Sequence, residues 1–218
     1  MLFESAVLIA ICDAGLGNLR SVERAVLEAA KPRASVSVVV SPEPDVIARA
    51  DKIVVPGQGG FGACSRALFD RGLAGALLES IARGTPYLGI CLGLQVLFGA
   101  SEESPGAPGL GVLDGDVVRL DASIDETTGA PRKIPHVGWN VAAPVDGHGG
   151  VLDAATRHFY FVHSYVVRPT DARIVAATTD YGASFVSAIA KDNVFACQFH
   201  PEKSQRAGIA LLERFVSA

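Results

Sequence analysis

Apolar residues in the first half of the chain fall into short runs, each ending near a glycine or proline. Residues 7–12 are unbroken Val-Leu-Ile-Ala-Ile-Cys, which predicts a strand buried on both faces. Similar runs at 36–40, stopped by Ser41-Pro42, at 53–55, ending on Pro56-Gly57, and at 87–90 predict three more strands. Between the first two, Leu19, Val22, Val26 and Ala30 recur at helical spacing, and Asn18 is placed to cap a helix reaching about residue 29. A Gly-rich turn and one or two helices fill the stretch to about 82, and 92 to about 98 predicts another helix. Strands alternating with helices imply right-handed crossovers and a parallel sheet with helices on both faces.

The rhythm changes in the second half. Strands are expected at 116–120, 159–162, 174–178, 185–189 and 195–198, separated by turn-rich segments such as 145–150. These predict an antiparallel or mixed extension of the sheet, closed by a helix over about 205–216. The Gly-, Pro- and Ser-rich stretch 101–111 reads as a surface loop and not as a linker. No repeat is evident. A chain of 218 residues then makes one α/β domain over 1–218.

Composition narrows the function classes. Apolar residues are 49% and charged residues 19%, too apolar for a disordered chain. The net charge of −4, without a basic cluster, is not the footprint of a nucleic-acid binder. The apolar run 6–12 is far shorter than the roughly 20 residues of a spanning helix. Glu4 precedes it with no Lys or Arg, so a signal peptide is not expected and the cytoplasm is the expected compartment. Cys12, Cys64, Cys91 and Cys197 form no C-x-x-C pair, which argues against zinc ribbons and thioredoxin sites and for a reducing compartment. Gly15-x-Gly17 lacks a third glycine, since Arg20 stands there. No phosphate-binding loop or H-E-x-x-H is present, so neither a cofactor nor a metal is expected.

Cys91 stands apart through its neighbours. Gly89-Ile90-Cys91-Leu92-Gly93 joins a predicted strand to a predicted helix, the thiol counterpart of the G-x-S-x-G nucleophile elbow. On this reading the glycines are needed because Cβ atoms there would strike the neighbouring strand or helix. The thiol would project from the C-terminal edge of the sheet at a helix start, which favours thiolate. The plainer alternative is a buried Cys between packing glycines. His200 and Glu202 follow the last predicted strand within Gln198-Phe199-His200-Pro201-Glu202. Residues two apart in an extended segment share a side, so Glu202 can orient the His200 imidazole and leave its other nitrogen to face a thiol. Taken alone, that pair could also be a local contact on a surface turn. Among the other histidines, His136 and His158 have no acidic residue two positions away, His148 follows Asp146 in a Gly-rich loop, and His163 reads as a hydrogen-bonded structural residue. Gly57-Gln58-Gly59, after the third strand, could offer backbone N–H groups to an oxyanion beside the Leu92 N–H, or be an ordinary turn.

Gly89 to Gln95 together with Gln198 to Glu202 resemble the class I (triad) glutamine amidotransferases, and the resemblance covers nearly the whole chain. Three further segments, 13–22, 133–140 and 160–165, with Lys203-Ser204, resemble the branch of that family that serves histidine biosynthesis. The resemblance implies a flavodoxin-like fold and a Cys91, His200, Glu202 triad that hydrolyses L-glutamine through a thioester. It also implies an oxyanion hole at Gly57, Gln58, Gly59 and Leu92, and glutamine held by Gln95, Ser164 and Tyr165. The implied partner is a (β/α)8-barrel cyclase subunit that takes up the ammonia and makes imidazole glycerol phosphate and an aminoimidazole carboxamide ribotide. Such a barrel needs roughly 250 residues, so a heterodimer is expected. Asn18, Pro135, Val137, Trp139 and Lys203 are expected at the docking face, Trp139 because a Trp beside Pro and Gly suits an interface anchor. Two positions depart from the family: Ala14 replaces a usual Tyr and Gln58 a common Val. The alternatives are a glutaminase serving anthranilate or aminodeoxychorismate synthesis, and a non-catalytic regulatory module of the same fold.

Overall fold

The four apolar runs of the first half become strands β1 (Val7–Cys12), β2 (Val36–Ser41), β3 (Lys52–Gly57) and β4 (Tyr87–Cys91) in the computed structural model, which describes residues 6–33, 35–121, 124, 129–145, 152 and 157–218. They pair in parallel, in the order β2-β1-β3-β4. Helices α1 (Leu19–Ala30), α2 (Pro44–Arg49), α3 (Phe61–Asp70), α4 (Leu73–Ala82) and the single turn α5 (Leu92–Gln95) connect or follow them. Asn18 caps α1 as expected, its side chain accepting from the Ser21 N–H at 3.3 Å. Pro44 starts α2, a six-residue helix too short to leave a periodic signal.

The second half adds β5 (Gly115–Arg119), β6 (His136–Val141), β7 (Ala143–Pro144), β8 (His158–His163), β9 (Tyr165–Pro169), β10 (Val175–Asp180), β11 (Ser184–Lys191), β12 (Val194–Cys197) and α6 (Gln205–Ser217). Strand β12 joins β4 in parallel; beyond it β11, β10 and β7 run antiparallel, and β9 and β5 branch from β11. The sheet is therefore mixed, as the change of rhythm predicts. Side chains alternate between its faces. Ile9 and Ile11 pack with Val22 and Val26 of α1 and Leu211 and Phe215 of α6. Ala10 and Cys12 pack on the opposite face with Phe61 and Leu68 of α3 and Leu73 and Leu77 of α4.

Two departures from the sequence expectation have physical causes. The helix expected over 92–98 stops after one turn at Gln95. The carbonyls of Val96 and Leu97, which would continue it, accept instead from the N–H groups of Leu110, Val112 and Leu113. Strand β6 escaped notice because its pattern is inverted: His136 is buried while Val137, Trp139 and Val141 are exposed. It pairs antiparallel with β8 in a separate two-stranded sheet. The Asp146/His148 loop lies outside the described residues.

Candidate active site

The strand β4 delivers Cys91 to a tip with φ 55° and ψ −104°, left-handed territory for a residue that carries a Cβ. Such a conformation costs about 1–3 kcal/mol and persists only where the surroundings enforce it. They do so through glycines. A Cβ on Gly89 would lie 2.4 Å from the Gly93 carbonyl oxygen, one on Gly93 1.8 Å from the Val55 oxygen, and one on Gly57 2.5 Å from the Leu92 Cβ. Strand β3, elbow and α5 are thus in backbone contact. Leu92 opens α5, so its N–H points away from the helix interior, where no carbonyl of the helix can receive it.

His200 arrives from the neighbouring strand. The register of β12 on β4 sets Cys197 beside Ile90, which carries the following segment past Cys91. His200 is extended at φ −108° and ψ 94°, and a 3₁₀ turn, Pro201–Lys203, follows it. The backbone is clamped: the His200 N–H donates to the Tyr160 carbonyl at 2.9 Å, and the Ser204 hydroxyl donates to the His200 carbonyl at 2.6 Å. Nδ1 of His200 meets Oε1 of Glu202 at 2.8 Å, with both side chains almost wholly buried. Burial pushes the His200 pKa down, but the Cys91 sulfur and the Glu202 carboxylate push it up harder, to about 9. The imidazole therefore carries its second proton at neutral pH. Its Nε2 has no hydrogen-bond partner at normal distance among the described residues. Contacts of this kind commonly tighten only when substrate binds.

Cys91, Leu92, Gln95, Gln58, Gly59 and His200 line one cavity of about 320 Å³. Ser164, Tyr165, Pro135 and Lys203 line it too. The residues singled out as nucleophile, base, oxyanion turn and substrate contacts are therefore brought together, although they come from opposite ends of the chain.

The model for "Glutamine amidotransferase class-I" matches residues 10–218. The chain is 46% identical over 213 residues to the imidazole glycerol phosphate synthase subunit HisH of Aromatoleum aromaticum, covering 96% of this chain and 97% of that one. It is 48% identical over 210 residues to the subunit of the same name from Nitrosospira multiformis, covering 95% and 96%. The chain belongs to the class I glutamine amidotransferases, and within them to the HisH family. Solved structures agree on the fold. A crystal structure of a glutamine amidotransferase superposes with a TM-score of 0.66 at 19% identity, covering 96% of this chain and 97% of that one. A chain in the structure of PurLQS from Thermotoga maritima gives 0.65 at 15%, covering 98% of each.

Around Cys91, His200 and Glu202 this amidotransferase holds further polar groups, of which Glu103 has no role in the sequence analysis. Glu103 lines the cavity, and its Oε2 accepts from the Phe61 N–H at 2.7 Å at the start of α3. Nothing in its loop, 101–111, marks it in the sequence. Gln95 donates through Nε2 to the Tyr165 carbonyl at 3.2 Å and to Gln198 Oε1 at 3.1 Å. His163 is the structural residue anticipated: its Nδ1 meets the same Tyr165 carbonyl at 3.1 Å and its Nε2 meets His136 Nδ1 at 3.0 Å. A carbonyl can only accept, so His163 carries its proton on Nδ1 and His136 donates to Nε2. Burial pushes the pKa of His163 to about 3 and that of His136 to about 4, so both are neutral. The Tyr165 carbonyl is thereby filled, and the Ser164 carbonyl already accepts from the Leu120 N–H at 2.8 Å.

Of the residues expected to dock a partner, Val137 and Trp139 are about half exposed and stand with Val141 on the outer face of β6. Pro135 and Lys203 line the cavity. Asn18 is exposed at the start of α1. Among the described residues no helix is long and apolar enough to cross a membrane.

Proposed function

We propose that this chain is the glutaminase subunit of an imidazole glycerol phosphate synthase, with Cys91, His200 and Glu202 as its triad. The observation that carries the reading is the cavity in which Cys91 and His200 meet, with Glu202 at 2.8 Å behind the imidazole. The Cys91 sulfur, its proton held by His200, attacks the glutamine side-chain carbonyl. The oxyanion is received by the Leu92 N–H and by backbone N–H groups of Gly57, Gln58 and Gly59. Protonated His200 gives its proton to the departing ammonia, while Glu202 stabilises and orients the imidazolium. The γ-glutamyl thioester is then hydrolysed by a water from which His200 takes a proton. Because the Tyr165 and Ser164 carbonyls are already engaged, substrate contacts fall to Gln95 Oε1, the Ser164 side chain and N–H, and the Glu103 carboxylate, whose charge suits the α-ammonium group of glutamine.

Free ammonia protonates at neutral pH and is lost as a nucleophile. A partner that receives it directly is therefore part of the proposal: a (β/α)8-barrel cyclase subunit, bound as a heterodimer, that makes imidazole glycerol phosphate. Glutamate release measured alone, and then with the cyclase and its nucleotide substrate, tests this. Little release alone and strong stimulation in the complex is the expected result; identical rates in both would remove the partner from the scheme.

The exposed β6 stripe supplies the docking surface in this reading. Trp139 is 49% exposed and meets Tyr160 edge-on at 6.2 Å between ring centroids, so its indole is already held for contact. Replacing Trp139 with Ala is expected to weaken cyclase binding by roughly 30-fold or more, the size of an aromatic hot spot. Basal glutaminase activity should persist. An unchanged dissociation constant in titration calorimetry would place the interface elsewhere.

A further inference from the structure

The Gln198 side chain is fully buried directly beside the nucleophile, and its Nε2 donates to Cys91 Sγ at 3.5 Å. We propose that Gln198 is a further catalytic residue, whose side-chain amide holds the Cys91 sulfur as thiolate and aims it into the cavity. The inference rests on the glutaminase reading and adds a residue to it.

The orientation of the amide follows from a chain of hydrogen bonds. The Tyr165 carbonyl can only accept, so the Gln95 atom that meets it at 3.2 Å is Nε2. The same nitrogen meets the Gln198 amide at 3.1 Å, so the atom there is Oε1. That leaves the Gln198 NH₂ group facing the sulfur. A flipped Gln198 would set two donors against each other at Gln95 and leave an acceptor facing Sγ. Strand register puts it there: β12 pairs Cys197 with Ile90, so the next residue on each strand is Gln198 and Cys91. Gln198 stands two before His200, and the 3₁₀ turn Pro201–Lys203 then brings Glu202 behind the imidazole.

A neutral amide suits this task. An N–H aimed at sulfur favours thiolate over thiol, because the thiol is the weaker acceptor. The amide has no proton to exchange at neutral pH, so proton transfer remains with His200. With the S–H proton already on His200 Nε2, the electron pair stays on sulfur, where the Gln198 N–H contact is strongest. The same contact receives the sulfur when the C–S bond of the thioester breaks and its electron pair returns to sulfur.

Iodoacetamide reads the thiolate directly. Burial pushes the Cys12 and Cys64 thiols up to about 12 and the Cys197 thiol well above its ordinary value, so these three stay silent near neutrality. In Gln198→Leu the pH midpoint of Cys91 alkylation is expected to rise by about one unit, and kcat to fall roughly tenfold, the weight of a hydrogen bond to a charged group. KM is expected to rise as well, since Gln198 Oε1 accepts from Gln95, a substrate contact, so the alkylation midpoint and kcat carry the test. A merely structural role would leave the alkylation midpoint in place, and a wild-type midpoint with wild-type kcat overturns the inference. Should the variant fail to fold, the unaltered protein carries the test. The Gln198 side-chain amide resonance must move as Cys91 titrates, and a resonance that stays still also overturns it. Either negative result, with glutamate release still dependent on Cys91, leaves the glutaminase reading standing.

Discussion

Cys91→Ala is expected to reduce glutamate release to background, a loss of roughly 10⁵-fold in kcat, the scale seen when a triad nucleophile is removed. No other group can take its place. Cys12, Cys64 and Cys197 are buried and free, and burial raises the pKa of each. Gln198 and Gln95 are amides, and His200 is held by Glu202. Alanine keeps the Cβ that already sits at φ 55°, so the elbow bears the same backbone strain and the fold should survive. The variant is thus a clean test of chemistry. Its melting temperature should match that of the parent, and it should still bind the cyclase. Measurable Cys91-independent glutamate release, above that of heat-killed enzyme, would require another nucleophile and sink the mechanism.

Much of this site was legible in the sequence because the chemistry fixes spacing. A nucleophile on a strained turn needs small residues two positions either side, and Gly89 and Gly93 supply them. The pairing of His200 with Glu202 was legible from their spacing of two, but a 3₁₀ turn at Pro201–Lys203, and not the expected extended segment, brings the carboxylate behind the imidazole. The buried parallel strands were legible for a different reason: covered on both faces, they leave unbroken apolar runs. What escaped was set by tertiary context. Strand β6 turns Val137 and Trp139 outward and His136 inward, so its hydrophobic pattern points the wrong way. Strand β9 follows β8 with only Ser164 between them, and of the two only the first, at 159–162, is expected from the sequence. Glu103 enters the cavity from an irregular loop, where no periodicity exists to mark it. Gln198 was within reach, since it lies two before His200, but only the register of β12 on β4 gives that spacing a meaning.

Gly93→Ala is the substitution expected to cost the most stability. The added Cβ would lie 1.8 Å from the Val55 carbonyl oxygen, and the neighbour it strikes is backbone. Rotating a side chain cannot relieve this. Either the elbow or β3 must withdraw by more than an ångström. Strand β3 is held on both edges, by β1 and by β4, and Val55 pairs with Gly89 in the second ladder. The elbow is fixed in turn by Gly89, which leaves no room for a Cβ against the Gly93 carbonyl, and by the Tyr87 hydroxyl, which donates to that carbonyl at 2.8 Å. Overpacking of so constrained a contact costs about 3–5 kcal/mol. For a chain of this length that is a fall of about 10 °C or more in melting temperature. Glutaminase activity should fall further than stability, since any withdrawal moves Leu92 and Cys91 away from the Gly57 turn. Gly75→Ala is the matching control. Gly75 sits within α4 with nothing inside 4 Å of an added Cβ, so alanine there should be neutral or add up to about 1 kcal/mol. A Gly93→Ala protein that melts with its parent and keeps its activity would mean that β3 and the elbow do not touch, and the account of why Cys91 stands at the tip would fail with it.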